Sequence, residues 1–170
     1  MPATGTLMSV EEYLRTTTDP DCEYVGGVME ERAVGEYDHA TWQIILAGYF
    51  LAREKELGIL SRPELRIQIS ADNYRVPDVT ILSREAPREQ IITHPPLAVF
   101  EILSPEDSMT RTLEKLADYE RMGIAAIWVI EPKKQLYYRY RDGQLAPGAV
   151  FELPGAAFSV PFAEIAALAD

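Results

Sequence analysis

The segment Leu97-Ala98-Val99-Phe100-Glu101-Ile102-Leu103 constrains this chain more than any other. Its apolar residues do not alternate with polar ones, so it reads as a strand covered on both faces, yet Glu101 sits inside it. A carboxylate in such a place is costly unless it is paired, protonated or bound to a cation. Any fold available to the chain must bring a compensating group to Glu101. After the loop Ser104-Pro105-Glu106-Asp107-Ser108, Leu113, Leu116 and Ala117 recur at helical spacing up to Gly123, and IAAIWVI at 124–130 reads as a second buried strand. Strand, helix and strand joined in this way pair in parallel through a right-handed crossover, which makes the sheet mixed.

The remaining sequence fills out a mixed α/β (α+β) pattern. Ser9-Val10-Glu11-Glu12 is a capping box that opens a short helix to about Arg15, ended by residues 16–20. Gly26-Gly27, between two short extended runs in 22–33, marks an N-terminal β-hairpin. Apolar residues at 42, 45, 46, 49, 50 and 57 predict one long helix over 39–57, closed by Gly58. Strands are predicted at 64–69, 74–82, 97–103, 124–130 and 136–141, and Asp142-Gly143 turns the last into a further hairpin. With 170 residues, 47% of them hydrophobic, and no low-complexity stretch, one domain over 1–170 is expected.

Composition narrows the function classes. Cys22 is the only cysteine, which excludes an intramolecular disulfide and a multi-thiolate zinc site and fits a reducing cytoplasm. No apolar run reaches the roughly 18 to 20 residues of a membrane-spanning helix, and the N-terminal residues lack the pattern of a secretory signal, so a soluble cytoplasmic protein without membrane contact is expected. The formal net charge of −11 argues against a broad electrostatic hold on nucleic acid. Carboxylates that bind a divalent cation contribute to the same charge, however, and a local Lys/Arg strip can coexist with it.

Asp78 is the second acid out of place, because it follows Pro77 inside a strand pattern where proline cannot donate to a ladder. Taken singly, each acid has an ordinary explanation: Asp78 caps a turn, and Glu101 pairs with Arg66 or Arg75. Taken together, two acids on neighbouring strands can share one divalent cation, which removes the repulsion that would otherwise raise one pKa. All-oxygen ligands suit Mg²⁺ or Mn²⁺. Lys115 and Tyr119 lie one turn apart on one face of the following helix, where both could face the carboxylates. A lysine there can help generate hydroxide from metal-bound water and stabilise charge on a phosphoryl oxygen. The alternative for Lys115 is an exposed helix lysine paired with Glu114 or Asp118.

Val76-Pro77-Asp78-Val79, Pro95-Pro96 leading into the Glu101 strand, Lys115-Leu116-Ala117-Asp118-Tyr119, Gly123-Ile124 and Ile127-Trp128-Val129-Ile130-Glu131-Pro132 together resemble the Uma family (DUF820 type) of restriction-endonuclease-like proteins, within the PD-(D/E)XK nuclease superfamily. Residues 9–14, 23–28 and His39 fit the same pattern. The resemblance implies a restriction-endonuclease-like mixed central β-sheet flanked by helices. It also implies a Mg²⁺- or Mn²⁺-dependent endonuclease acting on DNA. Asp78 and Glu101 would hold the metal with the Ile102 carbonyl, and Lys115 would assist the attacking water. The superfamily's usual lysine position is Leu103 here; the family resemblance implies that the lysine has moved to the following helix, at Lys115. Glu23 and His39 are auxiliary candidates beside Tyr119. The chain departs from the family at Gly26, where an aspartate is common, and at Val76, where an arginine often precedes Pro-Asp. A homodimer follows by analogy with enzymes that cut both strands. The competing readings are a nuclease-fold binding or regulatory module without turnover, and an interaction protein in which the two acids are merely ion-paired.

Overall fold

The computed structural model describes residues 7–18 and 21–170. Helix α1 (Val10–Arg15) is capped as predicted, with the Ser9 hydroxyl accepting the Glu12 amide at 3.2 Å. Asp19 and Pro20, part of the predicted terminator, lie outside the described residues. Strands β1 (Cys22–Val25) and β2 (Val28–Glu31) form the hairpin through Gly26 and Gly27, both at positive φ.

The predicted long helix is two helices. α2 (Tyr37–Leu51) ends at Ala52, Arg53 leaves helical geometry at φ −113° and ψ 6°, and α3 (Glu54–Leu57) follows. Gly58 closes α3 in the left-handed region at φ 65°. Strand β3 (Ile59–Pro63) was absent from the sequence reading, and the predicted 64–69 strand shortens to β4 (Ile67–Ser70), because Glu64 adopts a positive φ of 50°. The predicted 74–82 strand is also two, β5 (Asn73–Arg75) and β6 (Val79–Ser83), and these belong to different sheets.

The rest runs close to expectation: β7 (Ala98–Ile102), α4 (Met109–Met122), β8 (Ala126–Glu131), β9 (Leu136–Arg141) and β10 (Gln144–Pro147). A small hairpin, β11 (Val150–Glu152) with β12 (Ser159–Pro161), leads into α5 (Phe162–Ala166) and a 3₁₀ turn at Ala167–Ala169. The central sheet has six strands in the order β10-β9-β8-β7-β6-β3, with β7 and β8 parallel and the other pairs antiparallel. A second sheet runs β2-β1-β5-β4. Among the described residues no helix is long and apolar enough to cross a membrane.

Alternation along the strands divides the core. Val79, Ile81, Ala98, Phe100 and Ile102 pack with Leu46 and Phe50 of α2 on one face of the central sheet. Leu82, Val99, Ile127 and Val129 pack with Leu116 and Tyr119 of α4 on the other. Glu101, between Phe100 and Ile102, therefore points to the α4 face. The register that pairs Val79 with Phe100, extended by one residue, brings Asp78 opposite Glu101.

Phe100 is fully buried, with ring centroids 6.0 Å from Phe50, 5.2 Å from Phe151 and 6.4 Å from Phe162. Phe100→Ala should cost about 3 to 5 kcal/mol in urea unfolding; a loss below about 1 kcal/mol would mean this ring is not a keystone of the α2 face.

Candidate active site

Pro77 explains why one predicted strand becomes two. It offers no amide to a ladder, so the chain crosses from one sheet to the other at residues 76–78, and side chains take over the backbone groups exposed there. Glu23 Oε1 accepts the Val76 amide at 2.9 Å, and Lys115 Nζ donates to the Val76 carbonyl at 3.3 Å. The Asp78 carbonyl accepts from the Glu64 amide and from Gln43 Nε2, each at 3.2 Å.

Asp78 and Glu101 are both buried, at 4% and 7% exposure, and line one cleft of about 270 Å³ with Lys115, His39 and Arg32. Asp78 Oδ2 accepts the Ile102 amide at 2.7 Å, which ties the acid to the end of β7. Its Oδ1 meets Arg32 Nη2 at 3.1 Å and His39 Nε2 at 3.2 Å. Glu101 Oε1 accepts the Tyr119 hydroxyl at 2.6 Å, and Oε2 meets Lys115 Nζ at 2.9 Å. The same ammonium lies 2.8 Å from Glu23 Oε1. Glu23 is fixed in turn by Arg75 at 3.0 Å, and Arg75 also reaches Asp118 at 2.6 Å and Glu30 at 3.2 Å.

These contacts set the charges. Burial raises the Glu101 carboxyl to about 7; Lys115 opposes the rise, while Asp78 and Glu23 add to it. Burial acts the same way on Asp78 but is outweighed by His39, Lys115 and the Ile102 amide, so its pKa lies below the ordinary value. Lys115 holds its proton more firmly than an exposed lysine, because Glu101, Glu23 and Asp78 outweigh its desolvation. His39 is shifted up by Asp78 in the same manner.

The chain belongs to the Uma2 family. Its family model, described as "Putative restriction endonuclease", matches residues 10–162. A solved structure described as a "putative nuclease belonging to DUF820", from Anabaena variabilis ATCC 29413, superposes with a TM-score of 0.82 at 21% identity, covering 95% of this chain and 99% of that one. At that identity the likeness shows the fold, which is nuclease-like. No curated protein matches the chain significantly.

Within this Uma2 chain five of the side chains named from the sequence line one cleft, Asp78, Glu101, Lys115, Glu23 and His39, and the sixth, Tyr119, is buried behind it and reaches it through Glu101. Ile102 lines it as well. Three expectations change. Glu101 pairs with Lys115 and Tyr119, not with Arg66 or Arg75, and Arg75 serves Glu23 and Asp118 instead. Lys115 is neither exposed nor paired along its own helix. Glu23 spends its oxygens on Lys115, Val76 and Arg75 and so anchors the lysine. Arg32 was missed, because a single arginine in a polar loop after a hairpin carries no sequence signal for the strand end it faces. Gly35 was missed too: a Cβ there would stand 3.0 Å from His39 Nδ1, so the glycine leaves room for the ring that meets Asp78.

The donors fit a hard divalent cation that takes few protein ligands. Among the described residues no group of three or more His, Cys, Asp and Glu is arranged to hold a metal ion. Two carboxylates are what Mg²⁺ commonly takes from a protein, with water and phosphate oxygens completing its shell. Counting two lone pairs per oxygen, the hydrogen bonds described leave one on Asp78 Oδ2 and one on each oxygen of Glu101.

The raised Glu101 pKa has a sign in stability. The folded state holds a proton that the unfolded chain releases near pH 4.5, so stability is fullest below that pH and is lost as pH rises through about 7. In EDTA, wild type should therefore lose on the order of 1 to 3 kcal/mol relative to Glu101→Gln between about pH 5 and 8, read by thermal melts. Parallel curves for the two proteins would refute the assignment.

Proposed function

We propose that this protein is a Mg²⁺- or Mn²⁺-dependent endonuclease that hydrolyses phosphodiester bonds in DNA. The observation that carries the reading is the convergence of Asp78, Glu101 and Lys115 on one cleft, the acids supplied by adjacent strands and the lysine by α4. Membership of a restriction-endonuclease family supports the substrate class.

Asp78 and Glu101 would hold the cation, with the Ile102 carbonyl as the further oxygen ligand. When bound, the cation supplies Lewis acidity and lowers the pKa of its water. Lys115, kept protonated by Glu101 and Glu23, acts as a fixed positive charge that stabilises the oxygens of the pentavalent phosphate. Its contacts with two carboxylates suit it to that charge role rather than to that of a base. His39, whose pKa Asp78 shifts up, would be the group at the cleft to pass a proton to the leaving oxygen. Arg32 presents a guanidinium at the same acid, within reach of an entering phosphate. Glu23 and Tyr119 are positioning residues: the first holds Lys115, and the second holds Glu101. With few cations at the cleft against a net charge of −11, DNA binding should be weak and its salt dependence shallow. A cytoplasmic setting, expected from the single cysteine, suits such a substrate.

A second reading is favoured by two contacts at Asp78. Arg32 and His39 already neutralise Asp78 without a metal, as they would in a nuclease-fold binding module that had lost turnover.

Mn²⁺ titration calorimetry and plasmid nicking, run on wild type, Asp78→Asn, Glu101→Gln and Lys115→Met, separate the two. The nuclease reading predicts Mn²⁺ binding and nicking by wild type and neither by the two acid variants. Lys115→Met should keep Mn²⁺ binding and lose about 10²- to 10³-fold in nicking. Arg32→Met should bind Mn²⁺ more tightly than wild type, since it removes a competing cation from Asp78. Binding by wild type without nicking would favour the module, and no binding by wild type would refute the metal site in both.

A further inference from the structure

Asp118 and Arg75 are buried charges that the proposed reaction does not use. Each is 3% exposed, and Asp118 is not among the residues that line the cleft. A buried ion pair adds little stability over apolar packing, so its distinct contribution here is a fixed geometry.

The two reach the site through a row of alternating charges: Asp118, Arg75, Glu23, Lys115, Glu101. Asp118 Oδ2 accepts from Nε and Nη2 of Arg75 at 2.7 and 2.6 Å and from Asn73 Nδ2 at 3.1 Å, while its Oδ1 meets Arg121. One edge of the guanidinium is thereby held. Because the group is planar, its remaining nitrogen, Nη1, is aimed at Glu23 Oε2 and Glu30 Oε2, at 3.0 and 3.2 Å. Glu23 gives its other oxygen to Lys115 and to the Val76 amide. An ammonium has three protons to donate, and Lys115 has three acceptors around it: Glu23, Glu101 and the Val76 carbonyl. Two of the three thus depend on one short stretch of chain, the first through the Arg75 side chain and the second through the carbonyl of the next residue.

The row also closes on itself. Lys115 and Asp118 are three residues apart on one face of α4, so the row leaves the helix at Asp118, passes through β5 and β1, and returns to it at Lys115. Such a circuit admits one rotation of α4 about its axis, and that rotation decides where the ammonium stands. With Asp118 neutral, the guanidinium turns wholly to Glu23 and Glu30 and draws Glu23 away from Lys115. We propose that Asp118, acting through Arg75 and Glu23, is a positioning residue that aims Lys115 at the phosphate oxygens. The proposal rests on the reading of Lys115 as the charge that stabilises those oxygens.

Asp118→Asn keeps the shape of the side chain and removes its charge. The first arm of the test needs neither metal nor DNA: in EDTA, acetylation by an N-hydroxysuccinimide ester is followed at each lysine by mass spectrometry, with the exposed Lys55, Lys133 and Lys134 as references. Lys115 should label several-fold faster in Asp118→Asn than in wild type, and the other three at the same rate. In plasmid nicking, kcat should fall about 10-fold with KM unchanged, and the loss should shrink to below about twofold in a Lys115→Met background, because the substitution acts through the lysine. Arg75→Lys, which keeps the charge but not the fork, should repeat both results and replaces Asp118→Asn if that variant does not fold. Equal labelling of Lys115 in wild type and folded variant would overturn the proposal, as would a loss of nicking of the same size with and without Lys115. A wild type that does not nick would refute the nuclease reading instead, and the labelling arm would still decide whether Asp118 sets the place of Lys115.

Discussion

The ammonium of Lys115, shared between Glu23 and Glu101, is the contact on which the rest of the site depends. It joins three elements with no backbone hydrogen bond in common: β1 through Glu23, β7 through Glu101 and α4 through its own chain. It also holds the Val76 carbonyl, where the chain crosses between sheets. A buried charge of this kind gives little net stability over a well-packed apolar group, but removing one partner leaves the others uncompensated. The arrangement specifies one geometry at the cost of stability, as a site that must hold two like charges close together requires.

Two acids on adjacent strands repel, and the molecule resolves the repulsion unequally. Asp78, with Arg32, His39 and the Ile102 amide, stays ionised; Glu101, with one ammonium and one hydroxyl, is pushed up to about 7. Positive charge is thus plentiful at one carboxylate and short at the other. A divalent cation entering the cleft would compete with Arg32 and His39 for the first and with a proton for the second. In the proposed reading the Arg32 guanidinium, now paired with Asp78, would be the group to meet a phosphate.

Much of this was legible in the sequence, for reasons that can be stated. Glu101 and Asp78 stood out because each violates an apolar pattern, and Lys115 and Tyr119 followed from helical spacing. Strands β7 to β9 were read almost to the residue, since their patterns are strong and local. Strand β3 was not, because ILSRP carries polar residues where it pairs at the sheet edge. The 39–57 helix was drawn as one element because its periodicity continues across the break at Arg53, and the 74–82 strand because its apolar run continues past Pro77, although the proline marks an irregularity there. Arg32, Gly35 and the Arg75–Asp118 pairing are products of tertiary approach, and nothing in their local sequence announces them.

The central claim is that Asp78 and Glu101 jointly hold one divalent cation. Anomalous diffraction from crystals soaked in Mn²⁺ near pH 8 tests it directly. The account predicts a single anomalous peak coordinated by both carboxylates, with the Arg32 guanidinium withdrawn from Asp78 Oδ1. A map with no peak at either carboxylate, and with Arg32 and Lys115 still in their present pairs, would contradict it.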